Sequence, residues 1–355
     1  MRRLLVVLLL VASLVAVGRG AVPCEALETQ PACYVALRPG PTEDTLAIVE
    51  VAGERTFTSS GQLLLTTVLV DDRLDLLEFL QGAADDRVRQ VPRRTLFPDQ
   101  DREQVAEQNA ALMRSSQLDA QLAALRHLGV DVEAISNGAE IAAISDPSAL
   151  TDTPLEVGDV IVAVDGVATL DTAAVAEAIR ATTPGDTVEL TWVRGGETTT
   201  TAVEVLPNPD DPALGYVGAL LITDVELPVD VRIDAGAIGG PSAGMMFALS
   251  IVDLLGDEDL TGGAVVAGTG SITADGRVGP IGGIQQKVVG ATERAGGEPP
   301  ATVFLVPRGN LEEARSAAVS RQVLLVPIDT LDDAVAALRE LAAGGTPSEA
   351  IALGP

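Results

Sequence analysis

The sequence predicts an α+β chain of several domains, and three observations carry that prediction. At 355 residues it is long enough for two or three units, each with its own core. Strand-like apolar runs and Ala/Leu-rich helical stretches are mixed along its length. A proline-rich linker, Pro207 to Pro212, sets off the last unit. Hydrophobic residues make up 47% and aromatics only 2%, so the cores must be built from Val, Leu, Ile and Ala. The formal net charge of −28 argues against a nucleic-acid partner, which needs a basic patch, and against broad contact with anionic lipid.

Met1-Arg2-Arg3 precedes an apolar run from Leu4 to Val17, a basic start followed by a segment of signal-peptide length. Extended to Val22, residues 1–22 predict an uncleaved membrane anchor, with a removed signal peptide as the alternative. The positive start places the N-terminus in the cytoplasm and the bulk of the chain outside. Cys24 and Cys33, the two cysteines, follow directly and are expected to oxidise to a disulfide there.

Residues 23–128 read as a mixed region that braces the last unit or sets its height above the membrane. Leu46 to Val51 and Leu63 to Val70 predict strands; Asp72 to Gln81 and Gln104 to Leu128 predict helices. The single histidine, His127, falls at the end of the last helix and is expected to meet its final carbonyls. No chemistry is predicted for this region.

Residues 129–206 form the next unit. Leu155 to Gly166, LEVGDVIVAVDG, reads as a strand between turn glycines, followed by a helix from Thr172 to Thr182 and a hairpin turning at Gly195-Gly196. That order, with LEVGDVI and the following DG, resembles a bacterial PDZ domain. The resemblance implies a peptide C-terminus added as a strand beside the helix, its carboxylate held by backbone N–H groups. Leu128-Gly129-Val130 lies where such a carboxylate-binding loop would be.

Residues 207–343 hold the chemistry. Strands are expected at Val217 to Ile222, Val229 to Ile233, Ala264 to Val266, Val303 to Val306 and Val323 to Val326. Helices are expected from Ser242 to Leu255, from Gly283, from Asn310 with an Asn310–Glu313 capping box, and from Thr330 to Leu341. The tail, 344–355, is expected to be disordered.

Ser242 stands where a glycine-rich turn, Gly239-Gly240-Pro241, meets an apolar helical run. A hydroxyl there would sit among free backbone N–H groups at the positive end of a helix, a seat for a nucleophile with an oxyanion site beside it. Downstream, Lys287 is the only lysine among 23 basic residues. Arginine supplies charge but cannot give up its proton, whereas a desolvated lysine can. The surviving lysine therefore marks a position that needs a deprotonatable amine.

GGPSAGMMFAL together with GRVGPIGGIQQK resembles the proteolytic domain of Lon-type serine proteases. The resemblance implies a Ser-Lys dyad of Ser242 and Lys287, with Thr269 orienting the lysine amine and the turn at Gly239, Gly240 and Ser242 holding the oxyanion, Ala237 being a further candidate donor. The position three before the serine is often aspartate in Lon proper and is Gly239 here. No phosphate-binding loop can exist with Lys287 the sole lysine, so no nucleotide and no other cofactor is implied. Across nearly its whole length the chain resembles membrane-anchored, PDZ-containing Lon-like proteases, which implies a protein or peptide substrate and a homo-oligomeric ring, a hexamer in that family. The expected mechanism lowers the Lys287 pKa from about 10.4 towards about 7–8, which asks for about 3–5 kcal/mol of desolvation from the Met245 and Ile281 neighbourhoods. A PDZ adaptor that no longer cuts, and a hydrolase of non-peptide esters, are the competing readings.

Overall fold

The computed structural model describes residues 31–96, 102–132, 135–236 and 238–355. The expected anchor, residues 1–22, and Cys24 lie outside these. Among the described residues no helix is long and apolar enough to cross a membrane. Cys33 is disulfide-bonded and buried.

Tyr34–Asp44 (β1) runs into one helical turn, Thr45–Ile48 (α1), and a short strand, Val49–Ala52 (β2). The strand expected from Leu46 thus begins at Val49. Asp44 accepts the Leu46 N–H, a local bond that turns the chain first, and the buried Thr45 hydroxyl ties the turn to the next strand by donating to the Leu63 carbonyl at 2.8 Å. Gln62–Asp71 (β3), Leu76–Ala83 (α2), Arg89–Pro92 (β4), Arg93–Leu96 (α3) and the long helix Arg102–His127 (α4) follow. α2 starts at Leu76 rather than Asp72 because Asp75 and Glu78 close a capping box there.

Ile135–Ile144 (β5), Val160–Val164 (β6), Val167–Ala168 (β7), Thr172–Ala181 (α5), Thr187–Arg194 (β8) and Glu197–Glu204 (β9) build the second unit. Its hairpin turns at Gly195 and Gly196, both at positive φ (57° and 86°), where a side chain would be strained. The stretch expected as a linker pairs instead: Leu206–Pro207 (β10) lies against Gly215–Tyr216 (β11). This leads the chain back to Ala219–Glu226 (β12), which pairs antiparallel with β5. The sheet order is β12-β5-β6-β8-β9, with β7 paired to β6. The strand expected to open the last unit at Val217 is therefore the edge of the preceding sheet, which extends well past residue 206.

Asp230–Ile233 (β13) pairs with β2. Then come Gly244–Leu255 (α6), Val265–Gly268 (β14), Ser271–Ile272 (β15), Val278–Gly279 (β16), Ile284–Thr292 (α7), Val303–Pro307 (β17), Leu311–Ala314 (α8), Val323–Ile328 (β18), Leu331–Ala342 (α9) and Ile351–Leu353 (β19). The main sheet runs β19-β18-β17-β14-β3-β1-β4, parallel across its centre and antiparallel at its ends. Residues 34–92, expected only to brace this unit, supply three of its strands.

Leu63, Leu64 and Leu65 of β3 are all fully buried, as a strand covered on both faces requires. The period of two sorts them. Leu63 and Leu65 pack with Val303, Leu305, α6 and α9 on one face, while Leu64 packs with Phe304, Val306 and α7 on the other.

Two further expectations fail locally. Asn310 forms no capping box: its side chain accepts the Ile281 N–H at 2.8 Å and donates to the Ile281 carbonyl at 3.0 Å, holding the loop ahead of α7. The tail is ordered, with Ile351–Leu353 laddered antiparallel to β18 and Glu349 paired with Arg308 at 2.6 Å. Truncation after Gly345 should destabilise the protein by about 2 kcal/mol, since Ile351 and Leu353 are half-buried. A lowered urea midpoint would register this, and an unchanged one would mean that β19 contributes nothing.

Candidate active site

α6 is buried from Gly244 to Asp253. It starts two residues later than its sequence suggests, at Gly244, so Ser242 lies on the turn leading into it. A Cβ at Gly244 would come within 2.5 Å of the Ser116 hydroxyl and 2.8 Å of the Ile272 side chain, so a larger residue would push both aside. The Ser242 carbonyl is held from two sides, accepting from the Thr269 hydroxyl at 2.9 Å and the Gly270 N–H at 2.8 Å. That fixes the backbone from which the Ser242 side chain projects.

α7 opens at Gly283, whose φ of 68° reverses the chain at the helix start. Four residues on, Lys287 points inward and is only 4% exposed. Its Nζ lies 2.8 Å from Ser242 Oγ, 3.0 Å from Thr269 Oγ1 and 3.0 Å from the Thr66 carbonyl. The proton inventory of these four groups is decisive. Thr66 offers only an acceptor, and the Thr269 hydroxyl hydrogen is committed to the Ser242 carbonyl, so both must accept from the amine. A neutral amine spends its two hydrogens on them and turns its lone pair to Ser242 Oγ. The Ser242 hydroxyl then donates to that lone pair, the geometry in which a proton can leave it.

Burial pushes the Lys287 amine down from its ordinary value to about 7. Among the described residues no carboxylate pairs with it, so nothing opposes the desolvation. Met245 is buried in the core and Ile281 is half-buried, and the cleft beside the amine is lined by Thr66, Thr67, Val68, Ile238 and Gly282. This cleft of about 540 Å³ also contains Ser242, Gly239 and Leu69, with Glu43 at its side.

The oxyanion candidates separate. Gly240, at φ 84°, shapes the turn, but its N–H donates to the Asn109 carbonyl at 2.9 Å and is not available. The N–H groups of Gly239, Ser242 and Ala243 have no partner among the described residues. Ala237 lies outside them.

Leu128, Gly129 and Val130 do not form a carboxylate-binding loop. Their N–H groups close α4, donating to the carbonyls of Ala124, Arg126 and Leu125, each at 3.0 Å. His127 meets Asp332 Oδ1 at 2.5 Å rather than the last carbonyls of its helix. Sequence reasoning missed Thr66, because a backbone carbonyl has no residue-type signature. It also missed Asn109 and Ser116, whose roles depend on where α4 docks.

Residues 223–339 match the family model of the Lon protease (S16) C-terminal proteolytic domain, and residues 127–205 match that of the PDZ domain. The chain carries both. Lon protease 2 of Herpetosiphon aurantiacus is 35% identical over 112 residues, 30% of this chain and 13% of that protein. The Lon protease of Chloroflexus aurantiacus is 38% identical over 112 residues, 30% of this chain and 12% of that protein. The chain thus spans about an eighth of the length of these relatives. The solved PDZ domain of an SdrC-like protein from Listeria monocytogenes is 21% identical, with a TM-score of 0.22, over 24% of this chain and 88% of that one.

The lowered lysine pKa has a consequence for stability with a definite sign. Between about 7 and the unfolded value near 10.4 the unfolded chain binds a proton at Lys287 that the native state does not, so stability rises with pH across that window. Lys287→Met removes the charge-burial cost. By linkage it should be more stable than the wild type by about 4 kcal/mol at pH 7, with the gap narrowing towards pH 10. Parallel urea titrations at pH 7 and 9.5 measure this; a gap that does not change with pH would place the amine in water.

Proposed function

We propose that the chain is a serine endopeptidase that uses a Ser242–Lys287 dyad, works without ATP and acts outside the cytoplasmic membrane. The observation that carries this reading is the 2.8 Å contact between the Ser242 hydroxyl and a buried amine with no counter-ion among the described residues. Neutral Lys287 takes the Ser242 proton as Oγ attacks the substrate carbonyl. The Ser242 and Ala243 N–H groups stabilise the oxyanion, with Gly239 beside them. The lysine ammonium then returns the proton to the leaving amine, and water repeats the sequence on the acyl-enzyme. Thr269 and the Thr66 carbonyl orient the amine.

A peptide is favoured over a small ester by the strand beside the dyad. β14 pairs with β3 only from Gln62 to Leu65, so the Thr66–Asp71 edge on that side has no strand partner among the described residues. An extended substrate can ladder onto that edge and bring its carbonyl to Ser242. The basic start and apolar run at the N-terminus favour membrane anchoring, the PDZ domain a role in recruiting substrate, and the likeness to Lon proteases assembly into a ring.

Unfolded casein should be cleaved without nucleotide, and a fluorophosphonate probe should label Ser242. Ser242→Ala and Lys287→Met should each lower kcat at least about 1000-fold while remaining folded. Activity should fall as pH drops through about 7, because protonated Lys287 cannot accept the serine proton. Undiminished labelling in Lys287→Met would remove the lysine from the mechanism.

A further inference from the structure

α4 touches both halves of the molecule. Met113, Ala120, Ala123 and Ala124 pack into the core that contains α6. On another face Ala111 and Leu118 pack against Ala142 and Ala143 of β5 and Leu220 and Ile222 of β12. Polar bonds reinforce both contacts. The exposed Arg114 donates to the Ala142 carbonyl at 2.6 Å. Two residues on, Ser116 is 2% exposed and its hydroxyl donates to the Pro241 carbonyl at 3.0 Å.

The second bond falls on a telling peptide unit. The Pro241 carbonyl and the Ser242 N–H belong to one planar amide and point in opposite directions. A donor that fixes the carbonyl also fixes the aim of the N–H, the group that faces the developing oxyanion. The Asn109 carbonyl, which takes the Gly240 N–H, anchors the same turn one residue earlier.

We propose that Ser116 and Arg114 are positioning residues through which α4 sets the Pro241–Ser242 amide against the PDZ sheet, so that the PDZ domain governs turnover at Ser242 as well as recruiting substrate. The proposal rests on the serine-peptidase reading of that site. Loosening β5 frees Arg114, lets α4 shift by a fraction of an ångström, and turns the Ser242 N–H off the oxyanion. Substrate docking on β3 is left untouched.

The experiment is steady-state proteolysis of a quenched fluorescent peptide by the full chain. Ser116→Ala should lower kcat about 10-fold, short of the 100- to 1000-fold loss expected when an oxyanion donor is removed outright, with KM and the apparent pKa near 7 unchanged. Arg114→Ala, at an exposed position that does not threaten folding, should lower kcat about 3-fold, and Arg114→Lys should restore most of it, as one charge-assisted hydrogen bond regained predicts. Unchanged kcat in both alanine variants beside an active wild type overturns the positioning role. So does a loss confined to KM. A wild type that neither turns over nor labels at Ser242 removes the peptidase reading itself, which is a separate result.

Discussion

A lysine amine kept dry against a serine hydroxyl is the constraint on which the site depends. In water that amine would be charged and useless as a base; here burial holds it near neutrality. The cost falls on the fold. Three separate segments must deliver oxygens to one point: Thr66 and Thr269, from β3 and the end of β14, as acceptors, and Ser242, from the turn before α6, as the donor. Each backbone is immobilised by something else. β3 is laddered between β1 and β14, Thr269 is tied to the Ser242 carbonyl, and α7 is set by Gly283 and by Asn310 gripping the loop ahead of it.

That requirement explains why the N-terminal region cannot be a detachable brace. It contributes the Thr66 carbonyl and the central apolar strand that separates the two halves of the core. The family match begins at residue 223, yet the sheet that carries the dyad is incomplete without residues 34–71.

Much of the site was legible because its logic is written in residue types. A single lysine among arginines asks for an amine that can lose its proton, and a serine between small residues and an apolar helix offers the hydroxyl to receive it from. Thr269, whose hydroxyl lies 3.0 Å from the amine, was legible only through the family resemblance. What stayed hidden is encoded in backbone position. Thr66 acts through its carbonyl. β12 reads like any apolar strand, and its choice of β5 as partner is decided by the hairpin of β10 and β11. Leu128-Gly129-Val130 looks like a carboxylate loop, but the same glycine serves equally well to end a 26-residue helix, and the helix took it. The tail is too short and too rich in glycine and proline to predict a strand, and it pairs because β18 leaves an edge to cover.

The way the PDZ domain is inserted ties these strands together. The chain leaves the catalytic unit at the end of α4 and returns through β12 into β13, which pairs with β2 and runs on to the serine turn. Both ends of the insertion therefore converge on Ser242. One does so through the covalent path from β13 to Ser242, the other through the bonds of Asn109 and Ser116 to the residues just before it. A domain attached by a flexible linker could move without the active site registering it. A domain spliced in between the two supports of Ser242 cannot shift without loading at least one of them, and under the proposed mechanism the sub-ångström tolerance of an oxyanion site makes even a small load a change in rate.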